Sequence, residues 1–380
     1  MNASFYVGRE QSLIKHKLLQ RYLNAAMPIL GSWSDDLYYI DCLAGPWESV
    51  DPALSDTSFS IAIEALRQAK RTLAQRGRNP TMRALFIERE MEAYERLAAF
   101  TSTIKDIEVA TKNWNFDVSV DKVVKSVKRR RHSFPFFFID PTGWECAAIP
   151  VIKPILQVQP GEVLINLMTS WISRFLPDST KPFQNLLGPG YETIIELHGD
   201  EREEAIVRAY TEAVRKAGNF PYVCTMPVLK STDEAFHFHM VYATRSAKGV
   251  EEFKRAEDDV VPFMHGIRAD AKHGKTLQRT NQYSLLSPNE TYIDERYSRY
   301  RSANLILAQA AVESRLKNAD GPVEFDDLWA DWMQFACVQD DDLQDYIQTG
   351  ERRGELAVAN RPPRSHKLTR GKGTTLLRLS

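Results

Sequence analysis

The chain has 380 residues, of which 43% are hydrophobic and 26% are charged, and its formal net charge is −1 at pH 7. This length exceeds one comfortable hydrophobic core, so we expect two domains, or one large domain with an appendage. The composition is typical of a soluble globular protein, and we find no apolar stretch as long as a membrane span or a signal peptide. Four scattered cysteines show neither metal-ligand spacing nor a disulfide framework, which favours the cytoplasm.

Strand and helix patterns alternate along the first 170 residues. Helices are predicted at 10–30, 58–76 and 90–102, and strands at 37–42, 83–88, 107–110, 134–140 and 162–168. The last two strands are nearly continuous apolar runs, as in central strands covered on both faces. The alternation predicts an α/β fold class with a parallel, Rossmann-like sheet.

Polar residues follow three of these strands. Asp41, Glu88 and Asp140 stand at strand ends, and the first strand leads into a turn of small residues, Ala44, Gly45 and Pro46. Ligands of open α/β sheets lie beyond the carboxyl ends of the strands, where an acidic residue can bind both ribose hydroxyls. The turn lacks the further glycines of the dinucleotide fingerprint, and there is no phosphate loop, so a pyrophosphate is not expected.

The segments 40–45, 86–88 and 139–141 resemble those of S-adenosylmethionine-dependent Rossmann methyltransferases. More narrowly, the chain resembles the three-Cys-motif partner (TcmP) family, in which a Lys-His element precedes a YID-x-x-AGP strand end and an IDPxG strand end. Lys15 and His16 stand where that element is expected. A similar order, with Asp-Pro-Pro-Tyr after the fourth strand, occurs in a family of ribosomal-RNA adenine-N6 methyltransferases. The resemblance covers residues 10–260.

The resemblance implies S-adenosylmethionine as the cofactor. The residues expected to bind it are Lys15, His16, Asp41, Ala44, Gly45, Pro46, Glu88 and Asn115. Glu88 would bind the ribose, Lys15 the methionine carboxylate, and Asn115, in preference to Asn113, the adenine. Taken singly, the strand-end acids also suit a turn or a helix N-terminus, and the Lys-His pair also suits an ordinary surface.

The catalytic residues are predicted to be Asp140, Pro141 and Trp144. A carboxylate and a backbone carbonyl can accept the two hydrogens of an exocyclic amine, and an aromatic ring can stack on its base. A base in a duplex must first be unstacked, which favours single-stranded or loop substrates. Thr142 and Gly143 replace the proline and aromatic residue that normally complete this platform, and Asp140 alternatively caps the next loop or helix.

Two basic segments predict nucleic-acid binding. The first ends a predicted helix and contains Lys125, Lys128, Arg129, Arg130 and Arg131. The second is the C-terminal tail, in which the residues predicted to bind the nucleic acid are Arg364, Lys367, Arg370 and Lys372. The alternative is a solvated helix face and a loose tail.

The second half of the chain is less regular. We predict an irregular segment at 171–190, a helix at 200–217, and a closing antiparallel strand pair at 222–228 and 236–244. His237 and His239 share one face of the last strand, but no third ligand is apparent, so no metal site is predicted.

Three segments are predicted along the chain. Residues 1–265 form the methyltransferase-like Rossmann domain, and 266–300 form a linker or an irregular excursion. Residues 301–380 form a winged-helix-like module, with helices at 301–317, 325–335 and 340–352 before a hairpin.

Two functions remain open from the sequence. The first is an S-adenosylmethionine-dependent methyltransferase that acts on a nucleic-acid base, with the exocyclic amine of adenine as one acceptor. The second is a non-catalytic, cofactor-binding partner or regulator that acts through its winged-helix module. The TcmP resemblance implies a three-cysteine, radical-enzyme-like protein as the partner, and no membrane is expected.

Overall fold

A computed structural model describes residues 3–45, 49, 51, 53–177, 180–231, 233, 235–280, 294–362 and 367–379. The strands are β1 (Asp36–Asp41), β2 (Thr81–Glu88), β3 (Glu108–Asn113), β4 (Ser133–Ile139), β5 (Glu162–Leu167), β6 (Tyr222–Leu229), β7 (Phe236–Thr244), β8 (Val323–Glu324), β9 (Leu356–Ala359) and β10 (Thr375–Arg378). The helices are α1 (Glu10–Gly31), α2 (Ser58–Gln75), α3 (Met91–Ser102), α4 (Val120–Lys128), α5 (Ile149–Leu156), α6 (Thr169–Phe175), α7 (Thr180–Leu187), α8 (Glu192–Ile195), α9 (Gly199–Gly218), α10 (Ala247–Thr280), α11 (Glu295–Asn318), α12 (Phe325–Met333) and α13 (Asp340–Arg352).

A seven-stranded sheet forms the centre of the fold, in the order β3-β2-β1-β4-β5-β7-β6. All neighbours are parallel except β7, which is antiparallel to β5 and β6. Every residue of β1, β4 and β5 is buried, which confirms the prediction of central strands covered on both faces. The predicted α/β class, the Rossmann-like sheet and the antiparallel closing pair are therefore confirmed.

Helices cover both faces of this sheet. One apolar cluster joins the sheet to α1, α2 and α10 through residues such as Leu19, Leu66 and Phe253. The other joins it to α4, α5 and α9 through residues such as Val123, Ile152 and Val214. Because the crossovers place helices on both sides, the carboxyl ends of the parallel strands remain open at one edge.

A buried polar network attaches α1 to the sheet. The Tyr22 hydroxyl of α1 donates to the Glu162 carboxylate at 2.5 Å, and Thr244 of β7 donates to the same carboxylate at 2.8 Å. The Tyr242 hydroxyl lies 2.5 Å from that of Tyr22. Burial raises the pKa of Glu162. This network positions the helix whose first half carries Lys15 and His16.

The described part of the segment 171–190, which we predicted to be irregular, is largely helical, so that prediction is wrong. It contains most of α6 and all of α7, and Ile172, Phe183 and Leu186 of these helices are buried in the cluster that includes α9. Pro177 and Pro189 lie between helices, and Pro182 lies in the first turn of α7, where no backbone N–H is needed. The prolines therefore separate short helices instead of preventing them.

The segment 266–300 differs from the predicted linker in its secondary structure. Helix α10 continues to Thr280, and α11 begins at Glu295, while 281–293 lie outside the described residues. Arg268 of α10 is buried and donates to Asp294 at 2.7 Å, which joins the two helices. In the described part of this segment, the charged residues Arg268 and Asp294 are thus paired inside the protein.

The C-terminal residues contain the predicted helices and hairpin. Strands β8, β10 and β9 form an antiparallel sheet in that order. Trp332 of α12 is fully buried in the same apolar cluster that covers one face of the large sheet. The buried Lys254–Glu257 ion pair of α10 also contacts this part, since Cys337 donates its backbone N–H to Glu257 at 3.0 Å. Met264 and Tyr300, next to the two predicted domain boundaries, are buried in the same cluster. None of the described helices has the length and apolar character needed to cross a membrane.

The polar network predicts the effect of a substitution in the first turn of α10. A Cβ atom at Gly249 would lie 2.5 Å from the Tyr242 hydroxyl and 2.7 Å from a Glu162 oxygen. We expect Gly249→Ala to lower the free energy of unfolding by about 1–3 kcal/mol, because the network must shift. Urea denaturation measures this change in the free energy of unfolding. Gly321→Ala is the control, since nothing lies within 4 Å of its added methyl group; equal stability of both variants would contradict the prediction.

Candidate functional site

Two adjoining cavities open beyond the carboxyl ends of the parallel strands. The Glu88 cavity, of about 490 Å³, is lined by Glu88, Trp114, Asn115, Trp144 and Trp171 among others. The Lys15 cavity, of about 470 Å³, is lined by Lys15, His16, Gly45, Asn166 and His237 among others. Leu43, Asp140, Pro141 and Thr142 line both. The segment 140–142 therefore lies at the junction of the two cavities.

Glu88 is held at the end of β2 by the backbone. Its carboxylate accepts the N–H of Glu90 at 2.6 Å, and burial raises its pKa. Asn113 does not line the cavity, because its amide donates to the carbonyls of Glu88 and Arg89 at 3.0 and 2.8 Å. Asn115 does line it and is exposed. The structure thus separates the two asparagines by position, and the contact of Asn115 with adenine stays a prediction.

Trp144 lies on the wall of the Glu88 cavity. Its ring contacts Phe183 and Phe175, with centroid separations of 4.8 and 5.8 Å. The indole nitrogen is buried and has no hydrogen-bond partner within the described part of the chain. The contacts with α6 and α7 fix the plane of the ring beside the cavity.

Asp140 joins three elements. One carboxylate oxygen forms an ion pair with the Lys15 ammonium of α1, and the other accepts the amide N–H of Asn166 at 2.7 Å. The Lys15 and Asp140 side chains are 12% and 18% exposed. Both partners are side chains of other elements and not backbone groups of the following turn, so the contacts differ from those of a loop cap.

Asn166 is a site residue that our sequence analysis missed. It is the penultimate residue of β5, is 3% exposed, and its amide oxygen is buried with no partner among the described residues. The amide orientation is well defined, because exchanging its oxygen and nitrogen would bring two oxygens together at Asp140. The available signal was a lone amide within the apolar strand 162–167.

His16 lies beside Lys15 but is buried. Its Nδ1 atom is 2.9 Å from the hydroxyl of Tyr6, and the two rings meet edge to face. Burial, together with the neighbouring Lys15 charge, lowers the pKa of His16 to about 3. The imidazole is therefore neutral at physiological pH.

The predicted turn after β1 contributes unequally to the cavities. Asp41 and Ala44 are buried and line neither cavity, whereas Gly45 lines the Lys15 cavity. Asp41 accepts the Ser58 hydroxyl at 2.7 Å and the Leu43 N–H at 3.3 Å, so it orders the turn and the start of α2. Pro46 lies outside the described residues.

The basic residues of α4 and the turn after it lie far from both cavities. Lys125, Lys128, Arg129 and Arg131 are exposed, and Arg130 is half-buried. Because α4 leads into the first residue of β4, the C-terminal end of α4 lies at the amino ends of the parallel strands. At about 3.3 Å per residue, β4 separates this end from the cavities by roughly 20 Å.

The C-terminal cations are paired with acidic residues. Lys367 contacts Asp340 and Asp341 at 3.1 and 2.6 Å. Arg370 contacts Glu251 at 2.9 Å and stacks over Trp329. Lys372 is exposed, and Arg364 lies outside the described residues. Folding therefore neutralises part of the positive charge that the tail has as a sequence.

The two histidines of β7 differ in environment. His237 lines the Lys15 cavity, whereas His239 is buried and its Nδ1 atom is 2.8 Å from the Thr169 hydroxyl. Burial lowers the pKa of His239 to about 3. In the described ranges, no group of three or more His, Cys, Asp or Glu side chains is arranged to hold a metal ion.

Comparison with known proteins gives only distant similarities. No known family model and no curated protein matches the sequence. Among solved structures, a Legionella pneumophila protein of the DUF519 family is similar over 67% of this chain and 92% of its own, at 12% identity and a TM-score of 0.38. An O-methyltransferase from Bacillus cereus, in complex with SAH, is similar over 59% of this chain and 80% of its own, at 11% identity and a TM-score of 0.30. Values this low carry no argument about activity.

The burial of Asp41 predicts a pH dependence of stability. Burial raises its pKa from 3.8 to about 7. The folded chain therefore retains a proton that the unfolded chain loses, so this stabilising contribution is complete below about pH 4 and is lost as the pH rises through about 7. We expect Asp41→Asn to reduce the fall in unfolding free energy between about pH 5 and about pH 8. Urea denaturation at both values tests this, and an unchanged fall would disprove it.

Proposed function

We propose that this chain binds S-adenosylmethionine in the two cavities and transfers its methyl group to an exocyclic amine of a nucleic-acid base. The observation that carries the proposal is the arrangement at the cavity junction, where the Asp140 carboxylate, held by Asn166 and Lys15, lies next to Pro141 in the lining of both cavities. This carboxylate, with the Pro141 carbonyl as the second acceptor, suits a group with two N–H donors.

The volumes and charges of the cavities support this choice of cofactor. The Glu88 cavity has a volume typical of small-molecule sites, about 300–1,000 Å³, and its buried carboxylate suits a ribose with two hydroxyls. The Lys15 cavity provides the ammonium that a methionine carboxylate needs. The bound cofactor supplies an electrophilic methyl group on its sulfonium. The residues of this chain orient the acceptor and exclude water.

Lys15 has two partners in this proposal. In the structure its ammonium contacts Asp140, at the position where the acceptor amine would bind. Lys15 would hold the cofactor carboxylate, and a Lys15 side chain turned to that partner would leave one oxygen of Asp140 available to the amine. Asn166 continues to hold the other oxygen at 2.7 Å, which keeps the carboxylate oriented.

A nucleic acid is the proposed acceptor because of the chain's remaining features. The TcmP resemblance and the ribosomal-RNA methyltransferase-like order of motifs support it. The order of elements from α11 to β10, which is helix, strand, two helices and two strands, also suits a winged helix. The acidic residues at the start of α13, Asp340, Asp341 and Asp342, disfavour α13 as the element that contacts phosphates.

The second candidate is a non-catalytic, cofactor-binding partner protein. The observation that favours it is the engagement of both Asp140 oxygens, by Lys15 and Asn166. If Lys15 keeps this contact with the cofactor bound, no amine can reach the carboxylate. The C-terminal module would then act on a neighbouring protein, for which the TcmP resemblance implies a three-cysteine type.

Cofactor binding is tested at Glu88. We expect Glu88→Gln to weaken S-adenosylmethionine binding by about tenfold or more, because a charged acceptor is worth about 1.5–3 kcal/mol per hydrogen bond. The melting temperature should hardly change, since the amide retains an acceptor for the Glu90 N–H. Calorimetric titration measures the affinity, with Glu92→Gln, an exposed neighbour on α3, as the control. No binding by the natural chain at millimolar cofactor would disprove the proposal.

Catalysis is tested at Asp140. We expect Asp140→Asn to reduce methyl transfer by about 100-fold or more, because the amine loses its orientation. Cofactor affinity should not fall, since Lys15 loses its competing partner. Radiolabelled S-adenosylmethionine incubated with total cellular RNA or DNA measures transfer, with Asp121→Asn on α4 as the control. Cofactor binding without label in any fraction would favour the partner protein.

A further inference from the structure

An exposed tryptophan lies beside the basic end of α4, where the parallel strands begin. The two cavities lie at the opposite ends of these strands. Trp33 is 55% exposed and meets Phe134 edge to face, with ring centroids 5.4 Å apart. It lines a cavity of about 400 Å³ together with Lys128, Arg130 and His132. The ring is thus fixed along one edge and open to solvent elsewhere. We call Trp33 and residues 128–132 the Trp33 surface.

The charge of the Trp33 surface is positive. Lys128, Arg129 and Arg131 are exposed. Of the nearby acids, Asp35 pairs with Arg78 outside this surface, and Asp36 pairs with Arg83 outside it and lies 4.0 Å from Arg130 within it. Their charges therefore offset little of the field from α4.

Arg130 contributes rigidity to this surface. Its guanidinium lies over the ring of Tyr38 at 5.3 Å and 4.0 Å from Asp36, and its Nε atom is buried without a partner in the described part of the chain. The turn that follows is held by Ser34, whose hydroxyl donates to the carbonyl of His132 at 2.7 Å. The aromatic platform, Arg130 and the turn at His132 are therefore held in fixed relative positions, and the exposed cations project from this frame.

We infer that the Trp33 surface binds a single-stranded nucleic-acid segment, with one base stacked on Trp33 and the flanking phosphates on Lys128, Arg129 and Arg131. Aromatic platforms beside cations are the means by which proteins bind single strands without reading their sequence. Cations alone would attract any polyanion, including an acidic peptide. An acidic peptide, however, would not use the open aromatic face. A single strand uses both features.

The position of the surface defines its role if the proposed methyl transfer is correct. The target base enters at the opposite edge, roughly 20 Å away along β4. A strand that rises about 3.4 Å per nucleotide covers this distance in about six nucleotides. The surface therefore holds a flanking segment, and this role rests on the proposed function, whereas the binding itself does not.

The test uses the full chain without cofactor, so that its outcome is independent of methyl transfer. Fluorescence anisotropy measures the Kd for a labelled single-stranded oligonucleotide that is long enough to reach both edges. We expect Trp33→Ala to raise the Kd by about tenfold, because stacking is lost. Trp33→Phe should retain most of the affinity, which excludes a folding defect as the cause.

The charges are tested separately. Arg129→Ala combined with Arg131→Ala should weaken binding and reduce the slope of log Kd against log salt by about 1.4. The control is Lys216→Ala with Lys317→Ala, two exposed cations on other helices. A Kd for Trp33→Ala within twofold of the natural chain would overturn the inference. So would competition by polyglutamate as effective as that by unlabelled oligonucleotide, which would show a surface that responds to charge alone.

Discussion

The ion pair between Lys15 and Asp140 is the contact on which the arrangement of the site depends. It joins α1 to the end of β4 across the junction of the two cavities. Both side chains are largely removed from water, so loss of either would leave a charge with little compensation. The geometry of the pair depends in turn on α1, which Tyr22 attaches to the buried Glu162 carboxylate.

The role that a residue can have depends on whether it lies at the carboxyl ends or at the amino ends of the parallel strands. Asp140, Asn166 and Glu88 come from three strands. They line the same pair of cavities because parallel strands have their carboxyl ends on the same side of the sheet. The cations at the end of α4 are close to Asp140 in sequence but lie at the other edge, since β4 stands between them. Proximity in sequence is therefore misleading here, and the two groups belong to separate surfaces.

Much of the fold could be predicted, because its signals are local. Apolar runs marked the central strands, and the alternation of strands and helices indicated the parallel sheet. The helices at 171–190 were missed because the prolines there lie between or at the start of short helices. Helix α10 was not predicted, and its residues 266–280 were assigned to the linker, because a polar sequence does not reveal that Arg268 is buried and paired with Asp294.

The sequence by itself determined the strand ends, and with them the positions of Glu88 and Asp140 at one edge, since hydrophobic period and turn chemistry are properties of neighbouring residues. Only the tertiary structure decided which groups contact each other. Asn166 meets Asp140, Lys367 and Arg370 meet acidic residues of other helices, and Trp33 meets Phe134. Each of these contacts joins residues that are distant in the chain, and their distances are set by packing of the whole sheet and its helices, which no local pattern encodes.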